Sequence, residues 1–181
     1  MYNFIKNITE GRIVKELKQV DLKYPLDGLG RSLSKQTMSY HYSKLYKAYV
    51  DRFNKGEGDP DFNEAGAFLH SIYFSQFTSP KGSNKPTGSV LALIESKHKS
   101  WDKFQEAFEK TAMGIQGSGW VYLAKDGTIK TITNHAIKND IVLLIDWWEH
   151  AFQFDFGSDK KQYLLKQWNI INWDVINQRL I

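Results

Sequence analysis

The chain has no cysteine among its 181 residues, and this absence narrows the chemistry open to it. Disulfide bonds, zinc–thiolate sites, iron–sulfur clusters and cysteine nucleophiles are all excluded. Any metal must therefore be held by imidazole, carboxylate and water. That set of donors suits iron and manganese as well as zinc.

Long apolar runs are also missing. No stretch approaches the roughly 20 apolar residues that are needed to cross a membrane. Residues 1–7 lack the long apolar region of a secretory signal. We therefore predict a cytoplasmic protein with no membrane partner.

Positive charge exceeds negative charge only slightly, with 24 lysines and arginines against 20 aspartates and glutamates. Because the lysines are scattered, this balance indicates a solvated surface that could favour the approach of a small anion. A basic module that binds nucleic acid is an alternative, but it rests only on the pI of about 9.1 and the aromatic content. We predict no nucleic-acid partner.

The remaining composition, 41% hydrophobic and 14% aromatic, is ample for a packed core. Breaker-rich stretches at 54–61 and 78–88 divide the chain. Apolar periodicity predicts helices over 34–53 and 63–77, which would form an antiparallel hairpin. After the second break the patterns predict helices, strands and then helices again, at 90–98, 101–113, 119–124, 128–133, 141–145, 161–167 and 174–180. This order indicates an α+β chain.

The most informative stretch is 146–150, which follows the apolar run 141–145. Asp146 at the end of a buried strand costs free energy unless its charge is paired, hydrogen-bonded or bound to a metal. His150, one turn later, can join it on the same cation. The alternative is a core histidine near an aspartate that caps a helix.

The other histidines extend this hypothesis. His41 and His70 lie on or beside the apolar faces of the two hairpin helices, where each alone is more often a core histidine than a ligand. Together with Asp146 and His150 they form a donor set for a redox-active metal with an open position. His98 and His135 lie among polar residues, and we predict that both are solvated.

These residues fall within longer motifs that resemble the iron/manganese superoxide dismutases, from about Leu33 to Leu180. The matching segments are 34–44, 49–50, 62–63, 70–74, 114–120, 146–151 and 168–173. The stretch Asp-Trp-Trp-Glu-His-Ala at 146–151 is the most specific of them. The resemblance does not cover the first thirty residues. We therefore divide the chain into an N-terminal extension (1–30), a helical hairpin (31–86) and an α+β C-terminal domain (87–181).

The resemblance implies a helical hairpin packed on a domain with a three-stranded antiparallel sheet. It also implies a homodimer, superoxide as substrate and one manganese or iron ion. The implied metal ligands are His41, His70, Asp146 and His150. The implied catalytic residues are Tyr49 at the substrate channel, Trp120 and Trp148 as walls, Glu149 at the dimer interface, and Gln116.

Gln116 also bears on the choice of metal. The resemblance implies that manganese enzymes typically have the active-site glutamine in the segment 116–120 and a glycine at position 66. Iron enzymes supply the active-site glutamine from the second helix instead. A glutamine amide that donates to bound solvent would alter its basicity and hence the potential of the metal. On this interpretation, Gly66 leaves room for Gln116, and manganese is favoured.

The chain departs from the family at three positions. Leu45 replaces a channel histidine, Gln153 replaces a tyrosine that reaches across the dimer, and Lys160 aligns with an arginine that attracts the anion. The first two changes motivate an alternative function. The chain would then be a metal-binding family member with low or no dismutase activity, serving as a structural or interaction protein.

Overall fold

The computed structural model describes residues 4–9 and 12–181 of the chain. The helices described there are α1 (Lys35–Tyr40), α2 (Lys47–Lys55), α3 (Pro60–Ser75), α4 (Gly88–His98), α5 (Trp101–Met113), α6 (Glu149–Phe156), α7 (Lys160–Trp168) and α8 (Trp173–Leu180). The strands are β1 (Phe4–Thr9), β2 (Arg12–Leu17), β3 (Gly119–Ala124), β4 (Ile129–Thr133) and β5 (Ile141–Asp146). A helical N-terminal part and a C-terminal sheet confirm the predicted α+β class. Among the described residues, no helix has the length and apolar character required to span a bilayer.

Capping residues fix the start of the helical hairpin and the connection between its helices. Ser34 accepts a hydrogen bond from the backbone N–H of Thr37, which satisfies one of the free donors at the start of α1. Gly56 ends α2 in the left-handed conformation, with φ of 67°. Asp59 caps α3 and Pro60 occupies its first turn. These caps confine the connection to four residues, so α2 and α3 pack against each other.

Helix α1 does not continue into α2 as the regular helix that the pattern predicts over 34–53. The segment His41–Tyr46 is π-helical. A π turn holds more residues than an α turn, and such turns are frequent at functional sites. Here the backbone carbonyl of Tyr42 accepts a hydrogen bond from the Gln19 side-chain amide at 2.6 Å.

The predicted N-terminal extension contains two strands that the sequence patterns did not indicate. Strands β1 and β2 pair antiparallel, from Phe4 opposite Leu17 to Thr9 opposite Arg12. The side-chain amide of Asn54 on α2 bonds both the backbone N–H and the carbonyl of Leu17 at 2.9 Å. The end of β2 is therefore attached to the helical hairpin.

The main sheet has the order β4-β3-β5, and both of its pairings are antiparallel. Strands β3 and β5 are buried at every position, which places Asp146, the last residue of β5, deep in the protein. Helix α3 packs against β5, and one hydrophobic core runs through both parts of the chain. The division into residues 1–30, 31–86 and 87–181 stays a prediction.

Helix α6 was not predicted as an element. It begins at Glu149, with only two residues between the end of β5 and its own start. The short connection forces the chain to turn from the sheet into a helix beside Asp146. This turn carries His150 back toward the strand end.

Candidate metal centre

Four side chains from different elements meet at one point in the core. His41 comes from the π-helical segment, His70 from α3, Asp146 from the end of β5 and His150 from α6. One donor atom from each lies within 4.8 Å of the others. Asp146 Oδ2 is 3.2 Å from His41 Nε2, 3.8 Å from His70 Nε2 and 3.3 Å from His150 Nε2. We refer to these four residues as the donor cluster.

The donor cluster is closed to solvent on most sides. His41, His70 and Asp146 are fully buried, and the side chain of His150 is 14% exposed. The three Nε2 atoms and Asp146 Oδ2 are buried without a hydrogen-bond partner. Buried polar atoms without partners cost free energy, and four of them aimed at one point fit a bound cation. The donors are nitrogen and oxygen atoms, which suit manganese or iron.

Backbone contacts orient two of these donors. His70 Nδ1 lies 2.7 Å from the carbonyl of Gly66, to which it donates, so Nε2 is left free to bind a metal. Asp146 Oδ1 accepts the backbone N–H of Trp148 at 2.8 Å, so Oδ2 is left free in the same way. Each side chain therefore presents the atom that faces the centre of the cluster.

The protonation states of the donor cluster also favour the binding of a cation. Burial, and next the nearby His150, lower the pKa of His41 to about 4. Burial likewise lowers the pKa of His70 well below its ordinary value. Burial alone would raise the pKa of Asp146, but the surrounding imidazoles of His150 and His41 hold it below its usual range. Neutral imidazoles and an ionised carboxylate are the forms that bind metal.

Three of the predicted catalytic residues surround the donor cluster. Trp120 is fully buried, and its ring centre lies 5.1 Å from that of His70. The Tyr49 ring lies 5.3 Å from the same imidazole. The Trp148 ring lies 5.7 Å from that of His150. These aromatic rings exclude water from the cluster, which strengthens electrostatic interactions within it.

His135 also belongs to the site, so the prediction that it is solvated was wrong. Its ring stacks on Trp148 at 4.7 Å, and its two nitrogens contact Trp120 and Tyr49. Sequence reasoning set this histidine aside because it lies in a polar loop. The two strands predicted over 119–124 and 128–133 contained a usable signal, because their antiparallel pairing puts Thr133 opposite Gly119 and brings the end of β4 beside Trp120.

The hydrogen bonds of His135 have a definite direction. The indole N–H of Trp120 can only donate, so His135 Nδ1 accepts it, at 3.2 Å. Burial lowers the pKa of His135 to about 4, so the ring is neutral and its proton lies on Nε2. That proton is donated to the Tyr49 hydroxyl oxygen, 3.0 Å away. The Tyr49 hydroxyl proton is then free to be donated to another group.

Gln116 does not lie where the prediction put it. Its side chain is exposed in the loop after α5, and it makes no hydrogen bond to the described residues of the site. His135 makes the contacts with Tyr49 and Trp120 instead. Gly66 therefore does not make room for Gln116: a Cβ at Gly66 would lie 2.8 Å from Cδ1 of Tyr49, so the space belongs to the tyrosine ring.

The last predicted residue, Glu149, is exposed in the first turn of α6. It borders a cavity of about 630 Å³ that is also lined by His150, Gln153 and Lys160. The ammonium group of Lys160 lies over the rings of two buried aromatic residues, Trp147 and Phe152, at 5.7 and 5.1 Å. Leu45 is half-buried in the π-helical segment, and Gln153 is exposed. Of the donor cluster, His150 alone lines this cavity in the described part of the chain, and Lys160 and Glu149 bring charges of opposite sign to it.

The site combines three imidazoles with one carboxylate, and it is buried where a helical hairpin meets an antiparallel sheet. This combination defines a protein of the mononuclear metal-binding class. Residues 86–179 match the family described as iron/manganese superoxide dismutases, C-terminal domain. The chain belongs to the iron/manganese superoxide dismutase family, as the sequence motifs predicted.

Similar proteins differ in the metal that their names give. The iron superoxide dismutase of Bordetella pertussis is 33% identical, over 84% of this chain and 93% of its own length. The manganese superoxide dismutase of Listeria monocytogenes is 30% identical, over 87% and 94%. The superoxide dismutase of Porphyromonas gingivalis, named for both metals, is 31% identical, over 88% and 97%. These relatives support an iron or manganese ion and do not decide between the two.

Proposed function

We infer that this chain converts superoxide to oxygen and hydrogen peroxide, with one manganese or iron ion held by the donor cluster. The observation that carries this function is the convergence of four unpartnered donor atoms in a member of this family. A bound ion of either metal would supply one-electron chemistry, accepting an electron from one superoxide and returning it to another. His41, His70, Asp146 and His150 would hold the ion.

The remaining residues support three tasks. Lys160 places a positive charge at the cavity that leads to His150, which favours the approach of an anion. Trp120 and Trp148 wall the cluster against water. Tyr49 supplies a proton, since its own hydroxyl proton is free while its oxygen accepts from His135. Burial raises the pKa of Tyr49 to about 12, so it keeps that proton at neutral pH.

We also propose manganese as the preferred metal. The support is Gly66, since helix α3 carries no glutamine at the position where the resemblance associates one with iron. Gln116 no longer supports this preference, because its side chain is exposed. His135 contacts Tyr49 instead of Gln116. Reconstitution with each metal would measure how His135 affects the metal preference.

We further propose that the chain forms a homodimer through the face that contains Glu149. Tyr40 and Phe154, exposed by 37% and 48%, pack edge to face at 5.4 Å and border the same cavity as Glu149. An exposed aromatic pair beside a glutamate suits contact with a second copy. Phe154→Glu should yield monomers by light scattering, whereas Leu165→Glu, at a 42% exposed leucine on α7, should not change the mass. An unchanged mass for both variants would contradict this face.

The deciding experiment is stopped-flow measurement of superoxide decay, with protein reconstituted separately with manganese and with iron. Fast decay with at least one metal supports the proposed function. Activity with manganese alone supports the metal preference, and equal rates contradict it. Bound metal without any decay would favour the alternative, a metal-binding family member without dismutase activity.

A further inference from the structure

The strand that carries Asp146 lies at the edge of its sheet. In the order β4-β3-β5, the outer side of β5 has no neighbouring strand among the residues that the structure describes. Backbone groups on such an edge need partners, and buried ones without partners cost free energy. Three side chains from outside the sheet supply the partners, and we call them the edge clamp: Gln76, Tyr163 and Arg179.

Gln76 substitutes for a neighbouring strand at one residue of β5. It follows directly after α3 and is fully buried. Its amide nitrogen donates to the carbonyl of Leu144, and its oxygen accepts the Leu144 N–H at 3.2 Å. This pair of bonds connects the end of α3, six residues after His70, to a point two residues before Asp146.

Tyr163, on α7, bonds the ligand residue itself. Its hydroxyl donates to the backbone carbonyl of Asp146 at 2.9 Å. Because its proton is used there, the hydroxyl of Tyr73, 3.0 Å away, donates to the Tyr163 oxygen, which is nearer to it than the Gln167 side-chain oxygen at 3.4 Å. Tyr73 lies on α3, and its ring is 5.4 Å from that of His41. A second chain of hydrogen bonds therefore connects Asp146 to the helix that carries His70.

Arg179, on α8, completes the connection. One terminal nitrogen donates to the Gln76 side-chain oxygen at 3.1 Å and to the carbonyl of Val142 at 3.2 Å. The other donates to the carbonyl of Ile72 at 2.7 Å. The guanidinium group thus bridges the last turn of α3 and the outer edge of β5, and it fixes the orientation of the Gln76 amide.

We propose that the edge clamp positions Asp146 relative to His70 for metal binding. This inference rests on the proposed function, since it concerns the same donor cluster. Apolar packing between α3 and β5 tolerates small sliding movements, whereas a metal site requires ligand distances within about 0.2 Å of their ideal values. Directional hydrogen bonds from Gln76 and Tyr163 remove that freedom at both ends of the α3–β5 contact. They are positioning residues, and none of the three enters the donor cluster.

Tyrosine variants offer the mildest test. Tyr163→Phe removes one hydroxyl from the edge clamp and leaves the ring in place. Tyr24→Phe is the matched control, because the buried Tyr24 hydroxyl donates to a backbone carbonyl as well, that of Phe74, at 2.8 Å. Each protein is loaded with Mn²⁺, and three quantities are measured: the thermal midpoint, the rate of metal release to a chelator, and the electron paramagnetic resonance spectrum of the bound ion.

Amide variants test the other end of the contact. Gln76→Glu removes the donor to Leu144 with little change of shape. Asn84→Asp is its control, since the Asn84 amide donates to the carbonyls of Trp168 and Ile171, both at 2.8 Å and neither on β5. If Gln76→Glu fails to fold, the tyrosine pair still decides the question.

We expect Tyr163→Phe to release Mn²⁺ roughly tenfold faster than the native protein, with a changed spectrum, because loss of a group that supports a ligand weakens metal affinity by about 10–100-fold. Tyr24→Phe should lower the thermal midpoint similarly, yet keep the native release rate and spectrum. Equal release rates and spectra for the two tyrosine variants would overturn the inference and leave the edge clamp a purely structural feature. If the native protein itself retains no metal, the proposed function fails, and this inference fails with it.

Discussion

Replacing Gly66 by alanine should damage the site through Tyr49. A Cβ at this position would lie 2.8 Å from Cδ1 of Tyr49 and 3.0 Å from two further ring carbons. Carbon atoms that are not bonded pack best at about 3.5–4.0 Å, so the ring would have to move by roughly 0.7–1.2 Å. Its hydroxyl lies 3.0 Å from His135 Nε2, and a movement of this size would break that hydrogen bond.

Two opposing effects set the stability of Gly66→Ala. Alanine in a helix interior is favoured over glycine by about 1 kcal/mol, whereas overpacking costs about 1–3 kcal/mol. The net result is a loss of about 1 kcal/mol, or a fall of roughly 2–4 °C in Tm for a chain of this size. Superoxide decay should slow, because the proton donor is displaced.

The decisive assay is a double-mutant cycle of Gly66→Ala with Tyr49→Ala, in which thermal unfolding measures the stability of each variant. Once the ring is absent, Gly66→Ala should stabilise the protein by about 1 kcal/mol, the helix contribution alone. If Gly66→Ala stabilises the native background equally and retains full activity, the tyrosine does not fill the space and the argument is refuted.

Three further predictions concern the donor cluster and His135. Asp146→Ala or His41→Ala should abolish metal retention and activity together, measured by metal analysis and stopped flow; normal activity in either would remove the ligand assignment. His135→Phe should destabilise by about 1–3 kcal/mol, because the buried Trp120 N–H loses its acceptor, and should slow superoxide decay. His98→Phe, which removes a histidine bonded to a carbonyl away from the site, should leave decay unchanged. Metal-free protein should lose stability on acidification. In the folded protein the pKa of His41 and of His135 is about 4, below the ordinary histidine value of about 6.5. Between these two pKa values the unfolded chain therefore binds more protons than the folded protein does. Stability is then complete above about pH 6.5 and falls by on the order of 2 kcal/mol per group by about pH 5; urea unfolding that is unchanged between these pH values would contradict this.

Three residues of the donor cluster could be selected from sequence because their positions fall within or at the end of predicted elements, and His150 was selected because it follows Asp146 by one turn. Apolar periodicity placed His41 and His70 on inward helix faces, and the run 141–145 placed Asp146 at the end of a buried strand. The structure brings these residues together with His150. The absence of cysteine narrowed the donor types before any element was assigned.

The errors lie where periodicity carries no information. His135 and Gln116 both occupy loops, where side-chain periodicity does not distinguish an inward from an outward position. For His135, its place just after β4 gave the one usable signal. The π-helical segment was missed because its side-chain pattern resembles that of an α-helix over one turn. Helix α6 was missed because it is short and begins within the same motif that attracted attention for its chemistry.

The amino-acid sequence by itself determined the fold class, the family and the kinds of donor available for a metal. The fold class follows from periodicity, the kinds of donor follow from composition, and the family follows from the motifs that resemble it. All three are local properties of the chain. Only the tertiary structure decided that His135 supports Tyr49, that Gly66 makes room for a ring, and that Gln76 and Tyr163 hold the edge of β5. Each of these contacts joins residues distant in sequence, and their burial depends on how the elements pack. No local pattern can encode them.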